Sequence, residues 1–190
     1  SKINDEYSRG KGDLFVAEAC EYDRTFLSLS PKIAVITSID EDHLDYYKDM
    51  DALRLAFAEF AGSVPKNGLI VVNGFDSNIK IAMREVNCNV ETYTAGNYKR
   101  TCNDNPSKRF TYSTHNVEPI TFHSTWQTTV PVLKDGKNYF RVFYKGDFFG
   151  DFYLIVPGIH NVMNALASIA VCHKVAVDKD AIFTALSTFK

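Results

Sequence analysis

The sequence predicts an α/β fold, in which helices flank a mostly parallel sheet with an antiparallel β extension around residues 128–156. The parallel part is indicated by short apolar runs that alternate with helical patterns in the first half of the chain. These runs are continuous, as in strands covered on both faces. The extension is indicated by aromatic and β-branched segments separated by Asp135-Gly136 and Gly146-Asp147, which are typical hairpin turns.

The first half of the chain predicts strands and helices in alternation, as βαβ units require. Strands are expected over residues 14–17, 33–37, 69–72 and 90–93. Apolar residues recur at helical spacing from Leu53 to Val64, so we predict a helix there with Asp51 as its N-cap. A shorter helix is expected from Ser77 to Glu85.

The second half predicts a polar loop, three antiparallel strands and two helices. The loop covers residues 97–108, and the strands are expected over 128–134, 138–144 and 148–156. A helix with an apolar stripe follows Pro157-Gly158, and Asp178 is the expected N-cap of the last helix. The apolar positions of these two helices are Met163, Leu166, Ala167, Ala170 and Val171, then Ile182, Ala185, Leu186 and Phe189.

Length and composition favour one globular domain and exclude several classes of protein. The chain has 190 residues and a formal charge of −2, so there is no electrostatic case for nucleic-acid binding. It has no run of about 18 apolar residues, and the first residues do not resemble a signal peptide, so we expect neither a membrane span nor secretion. The four cysteines form no CxxC pair, which favours reduced thiols and a cytoplasmic location.

An acidic segment follows the second expected strand. Residues 37–45 read TSIDEDHLD, and Glu18 follows the first expected strand in the same way. If these strands are parallel, Glu18 and His43 emerge at one edge of the sheet, where ligands bind in open α/β folds. A carboxylate and an imidazole there could hold Mg²⁺ or Mn²⁺. The alternative is a solvated acidic loop or a helix cap.

A second candidate site opens the helix after Pro157-Gly158. The first turn of a helix leaves backbone N–H groups available to an anion. Asn161 and Asn164 are three residues apart on one face, and their amides suit base or ribose recognition. The alternative is that Asn161 only caps the helix and Asn164 is only an exposed polar residue.

No phosphate-binding G-x-x-x-x-G-K-[ST] loop is present, since Gly10-Lys11 and Gly136-Lys137 lack its pattern. A metal-dependent phosphatase using Asp40, Asp42 and His43 is therefore a further hypothesis. A binding module without catalysis is another.

Three ordered blocks resemble the Mur ligases. They read FVAEACEYD over residues 15–23, IDEDHLDY over 39–46 and PGIHNVMNALA over 157–167. The resemblance implies the central, ATP-binding domain of a three-domain ligase. Residues 1–190 are then one domain that begins after the family's P-loop and stops near the last domain.

The resemblance also implies chemistry and residue roles. Glu18 and His43 match catalytic, metal-binding positions, and Asn161 and Asn164 match nucleotide-binding asparagines with His160 beside them. The implied cofactors are ATP and Mg²⁺. The implied substrates are UDP-N-acetylmuramate and L-alanine, joined through an acyl phosphate in peptidoglycan precursor synthesis, with a tripeptide as the alternative acceptor. Residues 1–190 alone are expected to be inactive.

The chain departs from the family pattern at two places. Residues 20–23 read CEYD where many members have DESD, and Ile159 stands where members often carry a basic residue. Contacts from these positions therefore do not follow from the resemblance.

Overall fold

The computed structural model describes residues 12–41, 46–96 and 124–190. The strands are β1 (Ile33–Ile36), β2 (Leu69–Asn73), β3 (Asn89–Ala95), β4 (Trp126–Thr128), β5 (Val132–Lys134), β6 (Lys137–Tyr144) and β7 (Asp147–Leu154). The helices are α1 (Met50–Gly62), α2 (Ser77–Ala82), α3 (Ile159–Lys174) and α4 (Lys179–Thr188), and a 3-10 segment spans Tyr22–Ser28.

The seven strands form one mixed sheet. Strands β1, β2, β3 and β4 pair in that order and are all parallel. Strand β6 is antiparallel to β4, β5 and β7. Because β7 is reversed twice relative to β4, it runs in the direction of the parallel strands and ends at their carboxyl edge.

Helices cover the two faces of the sheet and divide the core in two. On one face, α1, α2 and the 3-10 segment pack on β1 and β2 around Phe26, Phe60 and Ile70. On the other face, α3 and α4 pack on β2, β3, β4, β6 and β7 around Trp126 and Leu166. The central strand β2 contributes to both cores because its residues alternate between the two faces, as they do in a parallel sheet covered on both sides.

Helix α3 runs from the carboxyl edge of the sheet to the opposite, amino edge. It begins five residues after the end of β7. Near its other end, the His173 ring contacts the rings of Trp126, Tyr144 and Phe149, with centroids 5.3, 4.9 and 5.5 Å away. These three residues lie at the start of β4, the end of β6 and the start of β7. The N-terminus of α3 therefore opens at the carboxyl edge.

The predicted fold class is confirmed, and so is most of the element order. The expected strands over 33–37, 69–72 and 90–93 are present, and the last is longer at both ends. The first hairpin turn lies at Asp135-Gly136 as predicted, with left-handed backbone at both residues. The second lies at Lys145-Gly146, one residue earlier than the predicted Gly146-Asp147, because Asp147 already belongs to β7. The side chain of Asp178 caps α4 by accepting from the backbone N–H groups of Asp180 and Ala181.

Several predicted boundaries are wrong. Residues 14–17 are not a strand, and the side chains of Leu14, Phe15 and Val16 are exposed. The N-cap of α1 is Asp49, whose carboxylate accepts from Ala52 N at 2.9 Å, whereas Asp51 pairs with Arg54.

Three further differences are smaller. The helix expected over 77–85 ends at Ala82, because residues 83–85 form a turn. The strand expected over 128–134 is two strands, separated where Pro131 cannot donate to the ladder. Phe189, expected in the apolar stripe of α4, lies beyond the helix and is exposed.

Some predictions fall outside the described residues. They include the loop over 97–108, His43 and Asp42. Within the described residues, no helix combines the length and apolar character needed to cross a membrane.

Candidate functional site

The loop after β1 is held by the start of α2. Asp76 caps α2 with one carboxylate oxygen, Oδ1, which accepts from Asn78 N at 2.8 Å and Ile79 N at 3.1 Å. Its other oxygen, Oδ2, accepts from Ile39 N at 3.1 Å. One carboxylate therefore fixes both the helix start and the loop that leaves β1.

Asn78 completes this attachment from the first turn of α2. Its Nδ2 donates to Ile39 O at 2.8 Å, and its Oδ1 accepts from Nε and Nη2 of Arg54 at 3.0 and 2.8 Å. The remaining nitrogen of the Arg54 guanidinium, Nη1, donates to Asp51 Oδ1 at 2.6 Å. Both backbone groups of Ile39 are thus bonded to α2, and α1 supports the same network.

The segment that carries Glu18 lies beside this loop. The Glu18 side chain is exposed, whereas the neighbouring Ala19 packs against the core on the α1 face. Three residues further on, Glu21 lines a small cleft together with Ser38 and Asp40. The cleft has a volume of about 80 Å³ and is completed by Ile39, Leu53 and Phe57. The two stretches therefore meet at the carboxyl end of β1.

Two tyrosines also join these stretches. The Tyr47 hydroxyl donates to Glu21 O at 2.5 Å, and the Tyr46 hydroxyl donates to Asp23 O at 3.2 Å. Tyr47 is buried, with 3% of its surface exposed, whereas Tyr46 is 46% exposed. Burial raises the pKa of Tyr47, so its hydroxyl stays protonated and remains a donor across the physiological range.

The predicted strand that would carry Glu18 to this edge is absent. We expected a strand over 14–17 to deliver Glu18 in parallel with β1, but that strand is absent. The cleft and the tyrosine hydrogen bonds bring the segment 18–21 to the end of β1 instead. His43 lies outside the described residues, so its pairing with Glu18 stays a prediction.

Two residues with carboxylate side chains line the cleft at this edge of the sheet. No group of three or more His, Cys, Asp or Glu side chains that could hold a metal occurs within residues 12–41, 46–96 and 124–190. Glu21 and Asp40 line the cleft, and carboxylate oxygens are the ligands that Mg²⁺ prefers. Mg²⁺ is usually held by one or two carboxylates, with waters and substrate phosphates at the remaining positions.

The start of α3 is the second part of the candidate site. Gly158 is the N-cap, with φ of 100°, and it contributes no side-chain cap. The His160 ring folds back on it so closely that a Cβ at Gly158 would lie 2.5 Å from His160 Cε1. Glycine is favoured at position 158 by the backbone angle, and a larger residue would also displace the exposed His160 ring.

The two asparagines differ in their surroundings. Asn161 is half-buried and its Nδ2 donates to Pro157 O at 2.6 Å, which ties the first turn of α3 to the preceding residue. Asn164 is exposed one turn later on the same face. Asn161 therefore does not cap α3, contrary to the alternative role considered for it, because Gly158 is the N-cap and no side chain caps the helix. The bond to Pro157 O instead orients the amide group of Asn161.

The two parts of the site lie at the same edge of the sheet. The first follows the carboxyl end of β1, and the second follows β7, which ends at that edge. An edge of this kind is where open α/β sheets bind their ligands. The arrangement offers carboxylates for a cation at one place and backbone N–H groups with two asparagines for an anionic ligand at the other.

Comparison with known families gives a match over most of the chain. A family model described as the Mur ligase middle domain matches residues 3–172. The chain belongs to this family. Described residues from all three Mur ligase blocks, among them Glu21, Asp40 and Asn161, lie at the two parts of the site.

Curated relatives match nearly all of this Mur ligase chain. The UDP-N-acetylmuramate–L-alanine ligase of Clostridium botulinum strain Langeland is 38% identical over 171 residues, which is 89% of this chain and 31% of the relative. The enzyme of the same name from Clostridium tetani is 35% identical over 187 residues, 98% of this chain and 36% of the relative. The chain thus spans about a third of the length of these relatives.

Solved structures of Mur ligases share the fold. A ligase from Neisseria meningitides named for UDP-N-acetylmuramate and the peptide L-alanyl-gamma-D-glutamyl-meso-diaminopimelate superposes with a TM-score of 0.63 at 27% identity, over 86% of this chain and 42% of that chain. UDP-N-acetylmuramate-alanine ligase MurC from Thermotoga maritima superposes with a TM-score of 0.61 at 22% identity, over 87% of this chain and 31% of that chain.

Sequence reasoning missed the residues that hold the site together. These are Tyr46, Tyr47, Arg54, Asp76 and Asn78. Asp76 could have been found as an N-cap, since it precedes the predicted helix at Ser77. Its bond to Ile39 joins loops from two neighbouring strands, and no local pattern in the sequence signals such a bond.

Proposed function

We propose that this chain is most of the nucleotide-binding middle domain of an ATP-dependent ligase that joins L-alanine to UDP-N-acetylmuramate. The observation that carries the proposal is the meeting of carboxylates and an open helix N-terminus at one edge of the sheet. The substrates are proposed from the relatives. Two proteins named UDP-N-acetylmuramate–L-alanine ligase are 35–38% identical over 89–98% of the chain.

The start of α3 is assigned to the nucleotide. Its first backbone N–H groups point toward the carboxyl edge and suit an anionic group such as a phosphate. Asn161 and Asn164 each offer a donor and an acceptor to the base or the ribose. His160, exposed against Gly158, lies beside them and supplies a further polar ring.

Glu18 and His43 are assigned to the metal and to phosphoryl transfer. Bound Mg²⁺ would neutralise charge on the transferring phosphoryl group. The Glu18 carboxylate would hold the ion from the segment that Ala19 packs in place. Asp40, which lines the cleft at the end of β1, would bond a water of the ion.

The proposed reaction has two steps. A carboxylate oxygen of UDP-N-acetylmuramate attacks the γ-phosphorus of ATP, which forms an acyl phosphate and releases ADP. The amine of L-alanine then attacks the carbonyl carbon, loses a proton and expels phosphate as the amide forms. This reaction places the protein in the cytoplasm, in the synthesis of peptidoglycan precursors.

A second candidate is a ligase that attaches a tripeptide to the same sugar nucleotide. The structure from Neisseria meningitides, named for such a peptide, is 27% identical to the chain. We favour L-alanine as the acceptor because the curated relatives with 35–38% identity over most of the chain are named for it.

The test is phosphate release from Mg-ATP by the full-length protein that carries this chain. We expect release only when UDP-N-acetylmuramate and L-alanine are both present, and none from residues 1–190 alone. Release only with the tripeptide would select the second candidate. Absence of release with any acceptor, or phosphate-ester hydrolysis by residues 1–190 alone, would contradict the proposal.

The proposed metal assignment is tested by Glu18→Gln, which keeps the shape of the side chain and removes its charge. We expect this variant to lose activity, whereas its KM for the sugar nucleotide should stay unchanged. Glu85→Gln is a matched control, since Glu85 is also exposed but lies in the turn after α2.

A further inference from the structure

The segment that carries Glu18 has little regular structure of its own to hold it. Residues 14–21 form neither helix nor strand, and the 3-10 segment that follows contains two consecutive left-handed residues, Asp23 with φ of 51° and Arg24 with φ of 63°. Left-handed backbone at residues other than glycine persists only where the surroundings hold it. The position of Glu18 therefore depends on contacts with the rest of the chain.

The far side of this turn is anchored to α1. The Phe26 ring is buried against Phe57 and Phe60, with centroid distances of 5.2 and 5.0 Å. The Arg24 guanidinium donates to Glu59 at 2.5 Å, although both side chains are largely exposed. These contacts hold residues 24–26, and Phe26 N and the Thr25 hydroxyl each donate to Cys20 O at 3.2 Å, which ties the near side of the turn to the anchored side.

The near side is held at the carbonyl of Glu21. This oxygen accepts from Arg24 N at 3.1 Å, within the turn, and from the Tyr47 hydroxyl at 2.5 Å. Tyr47 belongs to the core on the α1 face, so its ring cannot move without disturbing that core. It connects the backbone three residues after Glu18 with the chain that returns from the end of β1 into α1.

We propose that Tyr47 is a positioning residue that holds the segment carrying Glu18 beside the end of β1, through its hydrogen bond to the Glu21 carbonyl. The magnesium-dependent part of this inference rests on the proposed function. Its structural part does not, because the hydrogen bond itself is independent of the reaction.

The first experiment measures hydrogen exchange in the full-length protein. Tyr47→Phe keeps the buried ring and removes only the hydroxyl. We expect exchange in peptides covering residues 20–28 to become about fivefold faster, the change that corresponds to one ordinary hydrogen bond of about 1 kcal/mol. Peptides from β6 and β7 should keep their rates, and Tyr139→Phe on β6 is the control for loss of a tyrosine hydroxyl elsewhere.

The second experiment measures the Mg²⁺ concentration that gives half-maximal ADP binding by calorimetry. We expect Tyr47→Phe to raise it roughly tenfold, the lower end of the cost when an outer hydrogen bond of a metal site is lost. The KM for UDP-N-acetylmuramate should stay unchanged. Tyr46→Phe removes the weaker, exposed bond to Asp23 and should shift both measurements in the same direction by less.

The outcomes separate this inference from the proposed function. Unchanged exchange in residues 20–28 would overturn the positioning role whatever the enzyme does. Faster exchange with an unchanged Mg²⁺ requirement would overturn its link to the metal. If Tyr47→Phe does not fold, Tyr46→Phe decides by the same two measurements. Failure of the proposed function itself would appear as wild-type protein without ligase activity.

Discussion

The two edges of the sheet are built in different ways. At the amino edge, Trp126 is fully buried, its Nε1 donates to the buried carboxylate of Glu91 at 2.7 Å, and the rings of Tyr144, Phe149 and His173 surround it. At the carboxyl edge, loops are joined by hydrogen bonds to Ile39 and Glu21 around exposed carboxylates. The comparison teaches that packing holds the amino edge, whereas directional bonds hold the edge that carries the site.

The largest effect is expected at the amino edge. Trp126→Ala should lower the free energy of unfolding by about 3–5 kcal/mol, because it leaves a cavity and a buried carboxylate without its donor. Chemical denaturation of the full-length protein measures this loss. A loss below 1 kcal/mol, as for a surface residue, would show that the amino edge is not a packed core.

Gly158→Ala tests whether the backbone at the start of α3 tolerates a side chain at position 158. We expect a loss of stability of about 1–3 kcal/mol, because alanine is strained at φ of 100° and its Cβ displaces the His160 ring. Gly146→Ala is the matched control, since φ is 91° there but no atom lies within 4 Å of the added Cβ.

The two glycine variants are to be compared by thermal unfolding and by ADP binding. Only Gly158→Ala should weaken ADP binding, since the hairpin at Gly146 is at the amino edge. Equal effects of both substitutions on binding would be incompatible with a nucleotide site at the start of α3.

Asp76→Ala tests the directional bonds at the end of β1. Loss of the cap on α2 should lower stability by about 1 kcal/mol, and loss of the acceptor for Ile39 N by about 1 kcal/mol more. Asp178→Ala is the matched control, because Asp178 caps α4 in the same way and holds no second loop. Urea denaturation should show the larger loss for Asp76→Ala, and equal losses would mean that the bond to Ile39 contributes nothing.

The smallest effect is a difference in thiol reactivity between the edges. Burial raises the pKa of the thiols of Cys88 and Cys172, which lie before β3 and near the end of α3. The thiolate is the reactive form, so these two thiols should react slowly near pH 8 and faster as the pH rises. Cys20, exposed beside Glu21, should react first.

Thiol labelling followed by mass spectrometry checks this order. It is best done in a Cys102→Ser background, so that the Cys102 thiol does not compete for the reagent. Reaction of Cys172 as fast as that of Cys20 would indicate that the amino edge opens readily.

Much of the fold could be predicted from the sequence because its signals are local. The continuous apolar runs predicted the parallel strands, and the Gly pairs predicted the hairpins. The strand expected over 14–17 failed, because an apolar run can form a strand only where a neighbouring strand pairs with it. The N-cap of α1 was misplaced because Asp49 and Asp51 are equally suited to the position by residue type.

The candidate site was predicted less completely. The motifs indicated Glu18, Asn161 and Asn164. The structure places the two asparagines near the start of α3 and Glu21, three residues after Glu18, in the cleft at the end of β1. The attachments through Asp76, Asn78 and Tyr47 were missed, because each joins residues 24 or more positions apart. Such bonds depend on which strands are neighbours, and that order becomes known only from the sheet.

Helix α3 connects the two edges as a single rigid element. Its 16 residues span about 24 Å along the helix axis. Since a helix is stiff along its axis, the aromatic rings around His173 determine how far the first turn extends past the strands at the other end. The distance by which that turn extends past the carboxyl edge therefore depends on side chains at the opposite edge, which no ligand at the site could touch.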